Sequence, residues 1–200
     1  SRIMETQIKK YKKLNDFALK NGVVLFGEGI DTEIPASELA QSFELDYPVY
    51  NRSFLELNLE NSIALYDSCI KNLIPDTVLL HIGTNDLDFF NENKVAFEQK
   101  YISLIEHIKT MDKKCRIVVV SIDNKTINQE LKHIADSTKC EFGDLSSIKV
   151  WNPQAIKNVT SFVQTMGVRR YCKSKPIYDI LKILFKKKKK NRQMYKNVYT

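Results

Sequence analysis

The sequence predicts an α/β fold of three layers, in which a doubly wound and mostly parallel sheet of about five strands has flavodoxin-like order. The first observation is a continuous apolar run over residues 77–82, which is typical of a strand buried on both faces. The second is that strand-like and helix-like stretches alternate four times along the chain. Such alternation is expected when crossover helices join parallel strands.

The elements before the central strand follow from local signals. Apolar residues at helical spacing predict a lead-in helix over residues 4–20, which the Asn21-Gly22 pair would end. Pro35 marks the start of a crossover helix, and a long amphipathic pattern predicts a further helix over residues 55–73. The predicted strands of this part are residues 23–26 and a weaker run at 47–50.

The elements after the central strand follow from the same signals. An amphipathic pattern predicts a helix over residues 97–108, and an apolar run predicts a strand over residues 115–122. Thr126 and Gln129 form a capping-box pattern before the next helix. The remaining predicted elements are a short strand at 140–143 and two helices that begin at Asn152-Pro153 and at Pro176.

The predicted organisation is a single α/β domain over residues 21–185. Residues 1–20 are its helical lead-in, and residues 186–200 form a basic tail that we expect to be disordered. No apolar run approaches the ~20 residues that a membrane-spanning helix needs, so we expect a cytoplasmic protein.

The net charge of +7 lies at the two ends of the chain. Residues 182–200 hold eight Lys and Arg residues and no acid, whereas residues 21–181 carry a net charge of about −5. Because the body of the protein is acidic, we expect no nucleic-acid partner. An apolar stripe beside Lys186–Lys190 fits either weak contact with an anionic membrane or a core-docked helix before a solvated tail.

The cysteine and histidine pattern predicts neither a metal nor a cofactor. Cys69, Cys115, Cys140 and Cys172 lack the paired spacing of a zinc site, so we expect buried free thiols. His81 lies in the central strand, where a buried and hydrogen-bonded histidine is expected.

Polar loops follow three consecutive predicted strands. They are Gly27-Glu28-Gly29-Ile30, Asn51-Arg52-Ser53-Phe54 and Gly83-Thr84-Asn85-Asp86. The carboxyl ends of parallel strands meet at the edge of the sheet where ligands bind. Two glycines beside an acid also expose backbone N–H groups, which suit an anion or oxyanion pocket.

The order and spacing of these loops resemble the SGNH, or GDSL-type, hydrolases, and Gly-Thr-Asn-Asp matches the third sequence block of that family. The resemblance covers roughly residues 21–150 and implies hydrolysis of acyl esters, often of carbohydrates or lipids. It implies an oxyanion-hole role for Asn85, and a turn shaped by Gly83 and Thr84.

The chain departs from the family pattern at the reacting groups. Gly29 stands where the family has its nucleophilic serine, and Glu28 replaces the aspartate before it. Ser53 stands at the second-block glycine, and no histidine follows His133 to serve as the base. A triad without nucleophile and base cannot run the family's mechanism.

Several site residues admit two interpretations. Glu28 is either a replacement acid or nucleophile, or a loop carboxylate satisfied by nearby amides or by Arg52. Asn85 either keeps a ligand-binding role or ties adjacent loops together. Ser53 is expected to be a loop residue in a turn, and Asp86 and Asp88 are expected to cap the next helix. The candidate ligand-binding residues are Gly27, Gly29, Asn51, Ser53, Gly83, Thr84 and Asp86.

Two functions are therefore expected from the sequence. The first is a GDSL-like fold with a degenerate catalytic set that binds a small molecule, such as a carbohydrate or an acyl ester. The alternative is an active acyl hydrolase that uses Glu28 and Asn85 in a non-standard site.

Overall fold

The computed structural model describes residues 1–42, 45 and 47–145. Five strands form one sheet, namely β1 (Val23–Gly27), β2 (Val49–Asn51), β3 (Thr77–His81), β4 (Arg116–Val120) and β5 (Glu141–Gly143). Their order is β2-β1-β3-β4-β5, and every neighbouring pair is parallel. This is the predicted doubly wound α/β fold, and its strand order reverses between β1 and β3.

The described helices connect these strands and flank the sheet. The predicted helices at Asn152 and Pro176, and the lysine run Lys186–Lys190, lie outside the described residues. The six helices are α1 (Arg2–Asn15), α2 (Ala36–Ser42), α3 (Leu59–Cys69), α4 (Leu87–Glu92), α5 (Lys94–Met111) and α6 (Lys125–Ser137).

Both faces of the sheet are buried, as the apolar strands predicted. Alternate strand residues such as Phe26 and Leu80 join one cluster with the inner faces of α1, α3, α5 and α6. The residues between them, such as Leu25 and Leu79, are buried on the opposite face. Burial on two sides explains why the strands are continuously apolar rather than alternating.

Two predicted helices in the N-terminal half of the chain are shorter in the structure than predicted. The lead-in helix ends at Asn15 rather than residue 20, and Phe17 is 88% exposed. The helix predicted from residue 55 begins at Leu59, because Asn58 and Asn61 form a reciprocal capping box there. Its last predicted turn is a separate 3-10 turn over Lys71–Leu73.

Helix capping also differs from the prediction in the second half. Asn124, rather than Thr126, caps α6 by accepting the backbone N–H of Ile127. The short helix α4 was not predicted. Cys69 and Cys115 are buried free thiols as predicted, whereas Cys140 is partly exposed and Cys172 lies outside the described residues.

Candidate functional site

The site begins where β1 and β3 end, at the point where the strand order reverses. Gly27 of β1 pairs in register with His81 of β3, so the loops after both strands start side by side. Glu28 directly follows β1, and the turn Gly83-Thr84-Asn85 follows β3. The sheet topology therefore brings together two of the three loops that the sequence identified as candidate site loops.

The Glu28 carboxylate fills the amide turn after β3. Its Oε1 accepts hydrogen bonds from the backbone N–H groups of Gly83 at 3.1 Å and Asn85 at 3.2 Å, and from that of Thr84. Glu28 is 6% exposed, and within the described residues its Oε2 has no hydrogen-bond partner. The amides that would suit an external anion are therefore engaged by a carboxylate of the protein itself.

This geometry agrees with one of the two interpretations of Glu28, that of a carboxylate satisfied by nearby amides. The other partner suggested from the sequence, Arg52, lies elsewhere. Its Nε donates to Asn15 Oδ1 at 2.9 Å, and its guanidinium lies 5.2 Å from the ring centroids of both Tyr11 and Tyr50. Glu28 thus accepts hydrogen bonds from backbone N–H groups rather than from an arginine.

Burial raises the pKa of Glu28 from 4.5 to about 7. The charge of His81 and the N–H groups of Thr84 and Asn85 lower it, but they do not offset the cost of burying the charge. The carboxyl group therefore changes protonation near neutral pH, the range in which a side chain is effective as a general acid or base.

This pKa predicts a specific dependence of stability on pH. Because the folded protein binds this proton more tightly than the unfolded chain, ionising Glu28 destabilises the fold. The cost is absent below about pH 4.5 and complete above about pH 7. Over that range the wild type should lose roughly 3 kcal/mol of unfolding free energy that Glu28→Gln does not lose.

Denaturant titrations of both proteins at a series of pH values measure this difference. Glu56→Gln, an exposed change in a neighbouring loop, is the matched control and should keep the wild-type slope. Identical pH slopes for the wild type and Glu28→Gln would contradict the assigned pKa shift.

His81 is buried and hydrogen-bonded, as predicted, and its partners define its protonation. Its Nδ1 lies 2.5 Å from Asp31 Oδ2, and its Nε2 lies 3.1 Å from the carbonyl oxygen of Ser121. Burial lowers the pKa of His81, but the charge and hydrogen bond of Asp31 raise it, and the net shift is upward. Since both ring nitrogens face acceptors and the pKa is raised, the imidazolium form of His81 is favoured, and neither nitrogen is free to act as a base.

The Asp31 carboxylate occupies the space that a side chain at residue 27 would need, so this position requires glycine. A Cβ added at Gly27 would lie 2.9 Å from Asp31 Cγ and closer still to Oδ2. Asp31 is fully buried, so its carboxylate packs directly against the glycine backbone. Gly27 therefore supports the His81–Asp31 pair rather than contacting a ligand.

Asn85 ties two loops together through its side chain. Its Nδ2 donates to the carbonyl oxygens of Leu57 at 2.8 Å and Leu55 at 3.2 Å. Both amide hydrogens thus have acceptors within the loop after β2. Of the two roles expected for Asn85, this geometry matches the loop-holding one.

Asn51 and Ser53 also form part of the framework behind the site. Ser53 is fully buried, and its Oγ accepts the backbone N–H of Gly27 at 3.1 Å. Asn51 Oδ1 accepts the Ser53 N–H at 3.0 Å, and its Nδ2 donates to the carbonyl oxygen of Asp31 at 2.7 Å. These contacts match the expectation that Ser53 is a structural loop residue.

The Asp86 side chain accepts a hydrogen bond from the first residue of α3 and does not cap α4. The prediction that Asp86 caps the helix after it was therefore wrong. It occupies the N-cap position of α4 without a capping hydrogen bond, and both its carboxylate oxygens lie 3.2 Å from the N–H of Leu59. Burial raises the pKa of Asp86 to about 6. Asp88 lies in the first turn of α4.

A pocket of about 360 Å³ opens beside Glu28, which is within the range of small-molecule sites. Four predicted residues line it, namely Glu28, Gly29, Thr84 and Asn85. The lining residues that were not predicted as ligand contacts are Ile30, His81, Leu87, Ile122, Asp123 and Asn124. The last three follow β4, and their place after a strand at the same sheet edge was the signal that could have identified them.

Gly29 occupies the open side of this pocket. Its φ is +58°, a left-handed conformation that favours glycine, and within the described part of the chain no atom lies within 4 Å of a Cβ built there. The position that the resemblance gives to the nucleophile therefore faces free space. The other predicted residues, Gly27, Asn51, Ser53, Gly83 and Asp86, support the pocket from behind rather than line it.

Metal-binding clusters and membrane-spanning helices were sought only among the described residues. In that part of the chain, no group of three or more His, Cys, Asp or Glu side chains could hold a metal ion. No helix found there is both long enough and apolar enough to cross a membrane.

Solved structures of GDSL-like enzymes share this fold. A GDSL-like lipase from Bacteroides thetaiotaomicron is 18% identical with a TM-score of 0.59, over 96% of this chain and 98% of that one. The psychrotrophic esterase EstA from Pseudoalteromonas sp. is 12% identical with a TM-score of 0.57, over 77% and 100% of the two chains. A carbohydrate esterase family 3 protein from Talaromyces cellulolyticus is 15% identical with a TM-score of 0.51, over 62% and 79%. No protein-family model matches the sequence, and no curated protein sequence does either.

Proposed function

We propose that this chain, which has the fold of the GDSL-like lipases and esterases, binds a small molecule at the carboxyl edge of its sheet without hydrolysing it. The ligand class is a carbohydrate or an acyl ester, as the resemblance to ester hydrolases suggests. The observation that carries the proposal is Gly29, a residue without a side chain at the open position where the fold's enzymes are expected to present a nucleophile.

Three further contacts support binding without turnover. Both nitrogens of His81 face hydrogen-bond acceptors, so it is not available as a base. The Asn85 amide donates to two backbone carbonyls instead of an open oxyanion position. The amide turn after β3 is filled by Glu28 Oε1. A tetrahedral oxyanion would find these donors already engaged.

An ester-hydrolysis panel tests this proposal. p-Nitrophenyl acetate and acetylated sugars are incubated with the wild type, Asn85→Ala and Gly29→Ser, and all three should match the uncatalysed blank. Gly29→Ser restores a hydroxyl in open space, but His81 cannot activate it because both of its ring nitrogens face acceptors. Hydrolysis by the wild type that falls in Asn85→Ala would overturn the proposal, because the pocket would then stabilise an oxyanion.

A second candidate function is acyl hydrolysis with Glu28 as the reacting carboxyl. The observation that favours it is that Glu28 lines the pocket with a pKa of about 7. It predicts ester turnover by the wild type that Glu28→Gln abolishes and that the control Glu56→Gln retains. Full turnover by Glu28→Gln would exclude this candidate.

A further inference from the structure

Three polar side chains that line the Glu28 pocket are not bonded to any other part of the described chain. They are the Thr84 hydroxyl, the Asp123 carboxylate and the Nδ2 group of Asn124. The Asn85 amide, by contrast, donates to two backbone carbonyls of the protein. The groups that remain for a ligand are therefore a carboxylate acceptor, an amide donor and a hydroxyl that can do either.

The loop after β4 holds the Asn124 side chain in a fixed orientation. Asn124 Oδ1 accepts the N–H of Ile127 at 3.0 Å as the N-cap of α6, so the Nδ2 group is the end of the amide that stays free. Asn128 fixes the start of the same loop. It accepts the N–H of Ile122 and donates to the carbonyl oxygen of Ile122, each at 2.7 Å. The Asn124 donor is thus preorganised, which lowers the entropic cost of binding a ligand.

The charged groups of the pocket are mainly acidic. Glu28 and the exposed Asp123 both line it, and its described lining residues include no lysine or arginine. His81, the one basic residue among them, lies 2.5 Å from the buried carboxylate of Asp31 and is paired with it. A negatively charged ligand would therefore be repelled at close range.

We propose, building on the binding function above, that Asp123 and Asn124 select a ligand with several hydroxyl groups and no negative charge, such as an uncharged carbohydrate. One hydroxyl group donates to the Asp123 carboxylate while a neighbouring hydroxyl accepts from Asn124 Nδ2. The two side chains line the pocket from consecutive positions in the chain, which suits adjacent hydroxyl groups of a sugar ring. Ile30, Leu87 and Ile122 supply an apolar wall for the C–H face of that ring.

An acyl ester without hydroxyl groups fits these polar groups less well. Its oxygens accept hydrogen bonds but donate none, so the carboxylates of Glu28 and Asp123 would lose water without gaining a donor. Carboxylates that lose water without a new partner reduce the affinity. Of the two ligand classes in the proposed function, the free groups of the pocket therefore favour the carbohydrate.

Binding measurements with the full chain and matched ligands test the proposal. The probes are the methyl glycosides of glucose, galactose and mannose, the corresponding methyl uronides, and methyl butyrate as an ester without hydroxyl groups. Saturation-transfer NMR should detect at least one glycoside. Its uronide, which carries a carboxylate in place of one CH₂OH group, should bind at least about tenfold more weakly, and methyl butyrate should not displace the glycoside.

Asn124→Asp separates ligand binding from helix capping. Aspartate caps a helix as well as asparagine does, but it replaces the Nδ2 donor by an acceptor. The variant should keep the wild-type melting temperature and bind the glycoside about tenfold more weakly. The matched control is Asn93→Asp, the same change at the N-cap of α5 on an exposed residue outside the pocket lining, and it should leave binding unchanged. Asp123→Asn should reduce the discrimination against the uronide.

The inference is overturned if no glycoside binds, if the uronide binds as well as its glycoside, or if Asn124→Asp and Asn93→Asp change binding equally. Methyl butyrate bound by a protein that binds no glycoside would reject this inference and leave the proposed binding function standing. Hydrolysis of acetylated sugars would instead reject the proposed function. The contacts of Asp123 and Asn124 would still be measured in that case, because the methyl glycosides carry no acyl group.

Discussion

Gly27→Ala is expected to lower the free energy of unfolding by about 4 kcal/mol or more. The added methyl group would lie 2.9 Å from Asp31 Cγ, and that carboxylate is fully buried and held 2.5 Å from His81 Nδ1. Relief of the clash would displace Asp31 from His81 and separate two buried groups of opposite charge. Chemical denaturation of the purified variant measures this loss.

The matched control is Gly29→Ala, two residues further along the same loop. Nothing lies within 4 Å of its Cβ, so only the cost of a left-handed backbone applies, at about 1 kcal/mol. Equal destabilisation by the two alanines would mean that backbone conformation, rather than the contact with Asp31, makes Gly27 necessary.

Asp31→Ala is the second change with a large expected effect, a loss of about 3–5 kcal/mol. It leaves the buried His81 without the carboxylate that lies 2.5 Å from its Nδ1. In the wild type the raised pKa of His81 stabilises the fold fully below its unfolded value of 6.5, and this contribution is lost as pH rises through the folded pKa. The variant should therefore be destabilised more at acidic pH than at alkaline pH.

Denaturation at several pH values distinguishes this from a simple packing defect. The control is Asp67→Asn, which breaks the partly exposed pair between Asp67 and His107 and should cost less than about 1 kcal/mol. A loss for Asp31→Ala that is small, or that is the same at every pH, would contradict the assignment of His81 as an imidazolium.

The fold was predictable because its signals are local. Continuous apolar runs identified β1, β3 and β4, and weaker local signals identified β2 and β5. The alternation with helices was sufficient to place the carboxyl ends of the strands, with Glu28 and Gly83-Thr84-Asn85, at one edge. The resemblance to GDSL-type hydrolases came from the same short loops. Helix ends were less predictable, because the capping residues Asn58 and Asn124 compete with equally good polar neighbours.

The hydrogen-bond partners within the site were not predictable, because they join residues distant in sequence. Asn85 donates to a carbonyl 28 residues away, and Asp86 accepts from an amide 27 residues away. Asp31 was not a candidate residue, yet its carboxylate fixes His81 from 50 residues away. Only the register of β1 against β3, which pairs Gly27 with His81, brings these side chains together.

The measurement that tests the central claim most directly records binding and turnover in one sample. An acetylated sugar from the panel is mixed with the wild-type chain, and NMR follows saturation transfer to the sugar together with release of acetate. We expect saturation transfer that Asn85→Ala or Glu28→Gln alters, with acetate release no faster than in buffer. Acetate release above the buffer rate that Glu28→Gln abolishes would contradict the account and identify a hydrolase with Glu28 as its reacting group.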